Sequence, residues 1–140
     1  MPGKKFKSVL EKGNSMKVIG KLFSGMNSGE EYLSKEPYQE RFQEILGFKP
    51  YPGTLNLRVD EEDVEEIQEL ESERMESFEH EETEYSGMNI YRCEINGVEA
   101  AYLDLDVTDY EDSVLEIIAP IGLRDLLSLE DGDEIEVEFE

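Results

Sequence analysis

The stretch Leu46-Gly47-Phe48-Lys49-Pro50-Tyr51-Pro52-Gly53-Thr54-Leu55-Asn56-Leu57-Arg58 leaves its backbone less choice than any other part of this chain. Pro50 and Pro52 fix φ two residues apart, and Gly53 supplies the freedom they remove, so the corner has few available paths. Beyond it, Leu55 and Leu57 alternate with Thr54, Asn56 and Arg58, the period of a short strand with one apolar and one polar face. The polar face opens with a hydroxyl and a carboxamide set side by side by a stiff turn. That arrangement suits oxygen ligands. It also suits a proline-stiffened connector whose Thr and Asn simply face water.

A chain of 140 residues forms one domain with a real core. Its formal net charge of −23 removes nucleic acid and anionic membranes from the candidate partners, since both demand clustered Lys and Arg. Any polyphosphate ligand would need a divalent cation or a local basic pocket. The single cysteine, Cys93, cannot form an intramolecular disulfide. No apolar run approaches the ~20 residues of a membrane span, and no secretory apolar region follows the basic start. The expectation is a soluble cytoplasmic monomer.

Residues 1–15 carry Lys4, Lys5, Lys7 and Lys12 and read as a basic, flexible arm. Residues 16–140 read as a single domain. Met16–Phe23 is its first strand, followed by the small-residue loop Ser24-Gly25-Met26-Asn27-Ser28-Gly29, whose amides can turn inward around an anion, although most such loops bind nothing. Pro37–Leu46 reads as a helix with Tyr38, Phe42, Ile45 and Leu46 on its buried face and Gly47 as its stop. Between Asp60 and Glu84 stand fourteen acidic residues and one Arg. Val64, Ile67, Leu70 and Met75 fall there at helical spacing, and the remainder of about 60–84 reads as an exposed, partly disordered acidic insertion. His80, inside that run, is read neither as a zinc ligand nor as a base.

Gly87–Ile95 and Val98–Val107 flank Asn96-Gly97, a strong hairpin signal. Val114–Ala119 and Glu134–Phe139 complete the strands, with a helical turn at Leu123–Leu127. The whole is mainly β: a small six-stranded barrel, closed or nearly so, with one or two short helices.

Phosphate loops, dinucleotide-binding glycines, a nucleophile elbow and paired-Cys metal sites are all missing from the sequence. What remains is the glycine loop, Thr54 and Asn56, Thr108, Glu116 and Arg124, all near strand ends. Phosphoryl transfer suits that inventory: amides around phosphates, Thr54 and Asn56 oxygens for Mg²⁺, Glu116 to take a hydroxyl proton, Arg124 for phosphate charge. The plain alternatives stay open, with Glu116 an ordinary strand residue and Arg124 the partner of a carboxylate.

Taken together, Ser24-Gly25…Gly29, the block Leu46–Asn56, Thr108…Leu115-Glu116-Ile117-Ile118-Ala119-Pro120, Leu123-Arg124 and Asp131-Gly132-Asp133 resemble the archaeal CTP-dependent riboflavin kinase family, in order, from about Met16 to Phe139. The resemblance implies a cradle-loop β-barrel that moves the terminal phosphate of CTP onto the 5′-hydroxyl of riboflavin, giving FMN and CDP. It further implies nucleotide contacts from Gly25, Met26, Asn27, Ser28, Gly29 and Glu30 and from Ile121, Gly122, Leu123 and Arg124. It places Mg²⁺ on Thr54 and Asn56, flavin on Thr108 and Glu116, and the base at Glu116. The family's loop reads Gly-x-Gly-Glu-Gly and then a basic residue. Here Asn27, Ser28 and Glu30 replace the middle glycine, the Glu and the basic residue, and Gly122 stands where a Lys is expected. Two rival readings are a non-catalytic flavin or nucleotide binder of the same fold and an acidic protein-interaction module.

Overall fold

A computed structural model describes residues 16–24, 33–108 and 110–139. The basic arm 1–15 and the glycine-loop residues Gly25 to Glu30 therefore lie outside the described residues.

The strand alternation read from the sequence becomes the wall of a closed antiparallel barrel. β1 (Met16–Phe23) pairs along one edge with β9 (Glu134–Phe139), from Met16 opposite Phe139 to Lys21 opposite Glu134. Its other edge pairs with β2 (Leu55–Arg58), placing Phe23 opposite Asn56 and Lys21 opposite Arg58. β2 continues to β8 (Val114–Ile118), with Asn56 opposite Glu116 and Arg58 opposite Val114. β8 meets β7 (Val98–Leu105), which forms a long hairpin with β6 (Met88–Ile95). β6 then closes the ring on β9 through Cys93 opposite Phe139 and Glu94 opposite Glu138. The hairpin turn has positive φ at both Asn96 (52°) and Gly97 (78°), as a two-residue primed turn requires.

Alternate residues fill the interior: Val18, Leu22, Leu57, Tyr91, Cys93, Tyr102, Leu115, Ile117, Val137 and Phe139 are all buried there. The opposite parity on β6, β7 and β8 makes a second core outside the wall. There Tyr38, Phe42 and Leu46 of α1 (Glu36–Leu46) cover Met88, Ile90, Ala101, Leu103 and Ile118. Gly47, at φ 86°, ends α1 in a left-handed cap, its N–H donating to the Gln43 carbonyl.

The acidic run is more ordered than its composition suggests. The helical spacing of Val64 and Ile67 becomes α2 (Glu61–Ile67), and the remainder, expected to be partly disordered, forms β3 (Glu73–Met75) and a hairpin of β4 (Phe78–His80) and β5 (Thr83–Tyr85). The cause is its few apolar residues. Val64 and Ile67 enter the barrel core, while Met75 sits on β3, not on the helix, and is buried in the outer core. The lone Arg74 is bound through two nitrogens to Asp106 at 2.9 and 2.6 Å, tying β3 to the end of β7. The Phe78 and Tyr85 rings stack at 5.0 Å beneath Tyr38, and Arg41 lies 4.0 Å over Phe78.

Candidate functional site

The stiff corner is anchored where β8 ends: the Tyr51 N–H donates to the Ala119 carbonyl at 2.8 Å, and Gly53 takes φ 106°. From there Thr54, Asn56 and Arg58 point out of the barrel, because Leu55 and Leu57 point in. The same parity puts Phe23 on β1 and Glu116 on β8 on this outer face. Pairing aligns them as one row, Phe23–Asn56–Glu116, across three strands.

Two members of that row stand out chemically. Asn56 (6% exposed) and Glu116 (5%) are the buried polar side chains among the described residues. The Thr54 hydroxyl donates to Asn56 Oδ1 at 3.2 Å, so the two predicted metal oxygens do stand together. Two neutral oxygens suit a hard cation that keeps most of its coordination for water and phosphate, as Mg²⁺ does. Among the described residues, no group of three or more His, Cys, Asp or Glu gathers to hold a metal.

A cavity opens on each side of the row. The larger, about 260 Å³, is lined by Tyr51, Thr54, Ile121, Gly122, Leu123 and Arg124, which brings Thr54 of the predicted metal pair together with the predicted nucleotide residues 121–124. The smaller, about 50 Å³, is lined by Thr108, Tyr110, Val114 and Glu116 together with Asp104. The two predicted flavin residues thus share a wall. Thr108 is shaped by its own turn, its Oγ1 accepting the Tyr110 N–H at 3.1 Å.

The nucleotide residues do not all present side chains. Leu123, at the start of α3 (Leu123–Leu126), is buried against the barrel core, and Gly122 lies so close to Tyr51 that an added Cβ would stand 3.1 Å from its ring. Half-exposed Tyr51 thus takes the space beside the position where a Lys was expected. Arg124 is already engaged: it donates to Asp131 Oδ1 at 2.8 Å, and the Ser24 hydroxyl donates to the other oxygen of that carboxylate at 2.8 Å. These two bonds hold the Asp131 carboxyl below its usual range. They also pin the residue from which the glycine loop departs.

Sequence reasoning gave no role to Phe23, Tyr110 or Arg58. The Phe23 ring meets Tyr110 edge-on at 6.0 Å, and the Arg58 guanidinium lies 4.7 Å over Phe23. The available signal was parity, since Phe23 is an aromatic residue out of phase with the inward Val18 and Leu22. His80 stands half exposed, 3.5 Å from Glu81, on the β4–β5 hairpin.

Comparison with known proteins identifies the family. The family model described as domain of unknown function DUF120, and named for CTP-dependent riboflavin kinase, matches residues 22–139. The riboflavin kinase of Archaeoglobus fulgidus is 40% identical over 136 residues, covering 95% of this chain and 58% of its own length. That of Methanocella arvoryzae is 41% identical over 133 residues, covering 95% and 61%. That of Pyrobaculum aerophilum is 39% identical over 128 residues, covering 89% and 61%. The chain thus spans roughly three fifths of the length of these curated relatives.

Proposed function

Because this chain belongs to the CTP-dependent riboflavin kinase family, we propose that it transfers the terminal phosphate of CTP to the 5′-hydroxyl of riboflavin, releasing FMN and CDP. The observation that carries the reading is the buried pair Asn56 and Glu116, register partners, with Thr54 beside Asn56 lining the larger cavity and Glu116 lining the smaller.

The larger cavity takes the nucleotide and the smaller one admits the ribityl end of the flavin beside Thr108. Glu116 then faces the incoming hydroxyl from a dry wall. It accepts the proton as the new bond forms from the 5′-oxygen to the terminal phosphorus, and the bond from that phosphorus to the bridging oxygen breaks to leave CDP. Thr54 Oγ1 and Asn56 Oδ1 would hold Mg²⁺, which when bound offsets phosphate charge. The acidity of the chain makes such a counterion necessary: at an effective dielectric near 20, like charges ~4 Å apart repel by roughly 4 kcal/mol. The backbone of residues 121–124 and the loop Gly25 to Glu30 complete the nucleotide side.

Incubating the pure chain with riboflavin, Mg²⁺ and each nucleoside triphosphate in turn, and separating flavins chromatographically, tests this. FMN formed with CTP in preference to ATP supports it. Glu30, in place of a basic loop residue, favours one alternative, a flavin or nucleotide binder without turnover. Tight flavin binding with no FMN from any donor would select that reading.

A further inference from the structure

In so acidic a chain, basic side chains are expected to be taken up by carboxylates, and most are. Lys17 pairs with Glu136, Lys49 with Glu36, Arg74 with Asp106, Arg92 with Glu73 and Arg124 with Asp131. Arg58 does otherwise. Like Arg41 over Phe78, it makes no ion pair among the described residues, and its guanidinium lies 4.7 Å over the Phe23 ring. Directly across the ladder from it stands a second cation, Lys21. Like charges placed opposite one another on neighbouring strands weaken the pairing, a cost that Glu134, opposite Lys21 on its other edge, offsets only in part.

The direction in which Arg58 leans gives that cost a purpose. Phe23 is the register partner of Asn56, so a guanidinium over Phe23 has turned back along β2 toward the Phe23–Asn56–Glu116 row. Arg124, the cation that sequence reasoning favoured for phosphate, is bound to Asp131 and to the Phe23 carbonyl. Among the described cations outside ion pairs, the one that lies over a member of that row is Arg58, at its Phe23 end. Its fork of N–H donors matches a phosphoryl group in geometry as well as charge.

We propose that Arg58 is a catalytic residue of the phosphoryl transfer, its guanidinium bonding the equatorial oxygens of the phosphorus in flight, with Lys21 adding positive charge beside it. This rests on the kinase reading above. The bonds made and broken are those already given: phosphorus to the flavin 5′-oxygen forms, phosphorus to the bridging oxygen breaks, and the proton goes to Glu116. Arg58 takes no proton, remaining charged throughout.

The test is steady-state kinetics of the full 140-residue chain carrying Arg58→Gln and Arg58→Lys, with Mg²⁺, CTP and riboflavin. Arg58→Gln is expected to lower kcat about 10²–10³-fold while the riboflavin KM moves by less than about threefold, because charge that develops only in transit is lost. Millimolar guanidinium ion added to Arg58→Gln should restore part of kcat, a response that a structural role would not give, and Arg58→Lys should fall between the two. A kcat within about threefold of wild type, or a loss confined to the riboflavin KM with no guanidinium rescue, overturns the assignment while leaving the kinase intact. A wild-type chain that makes no FMN from any donor overturns the kinase reading itself and this inference with it.

Discussion

Glu116 and Asn56 face each other across β2 and β8, both nearly sealed from water, on a wall whose opposite parity is filled with Leu55, Leu57, Leu115 and Ile117. A strand that buries both of its faces normally carries apolar residues on each. Two polar residues depart from that pattern here, and no buried polar side-chain atom among the described residues lacks a partner. Glu116→Gln keeps the shape and removes the proton acceptor, so FMN formation should drop about 10²–10⁴-fold with riboflavin binding retained. Flavin fluorescence titration alongside turnover checks this; equal rates in both proteins would remove Glu116 as the base. Asn56→Ala deprives the Thr54 hydroxyl of its acceptor and the site of one oxygen. The Mg²⁺ concentration for half-maximal rate should then rise at least about tenfold. At this scale the sequence was informative where motifs were stiff: the Pro-Gly corner sets Thr54 and Asn56 together. It was silent on Arg58 and Phe23, because their roles arise from a register between β1 and β2, strands that lie far apart in sequence with α1 between them. It left Arg124 open between phosphate and a carboxylate, and the carboxylate it meets, Asp131, is supplied from beyond α3.

Among the elements, the acidic segment departs most from its sequence reading. Fourteen carboxylates suggested solvation and disorder, yet four apolar residues and two rings suffice to fix it, because Met75 and Tyr85 reach the outer core that α1 and the sheet already share. The order has a local cost. The β4–β5 turn puts Glu81 at φ 51° and Glu82 at φ 68°, a left-handed path unfavourable to both side chains. Replacing the pair by Asn-Gly, as Glu81→Asn with Glu82→Gly, should stabilise the chain by about 1–2 kcal/mol in urea denaturation, without effect on turnover. The β3 attachment has its own pH signature. Hydrogen bonds from Arg74 hold the Asp106 carboxyl below its ordinary value of 3.8. A depressed carboxyl stabilises the fold above the unfolded value and loses that contribution as pH falls through the folded one. Amide protection on β3 should therefore be level from pH 7 to about 4 and weaken below, and Asp106→Asn should remove the dependence. Because the pair is largely exposed, the effect should be local.

For the molecule as a whole, the barrel was legible because six runs of alternating residues leave no other way to bury their apolar faces, but where the ring closes was not. Closure falls on β6 and β9, joined by two residue pairs, one of which sets Glu94 against Glu138. In a chain of net charge −23, a short seam with facing carboxylates is the natural place for the wall to part first. Cys93 lies in that seam, opposite Phe139, with its thiol pushed up to about 12 by burial. At pH 8 the closed barrel thus offers almost no thiolate, and modification must wait for an opening. A thiol reagent should react with the folded chain at least about 10³-fold more slowly than with the chain in urea, and added salt, by screening the seam carboxylates, should slow it further. Glu94→Lys replaces repulsion by attraction across the same pair and should slow labelling at low salt while flattening its salt dependence. Labelling of the folded protein at the unfolded rate would mean that the seam stands open. The two halves of the wall would then not be held in ring closure, and the outer row Phe23–Asn56–Glu116 would owe its alignment to β1, β2 and β8 alone.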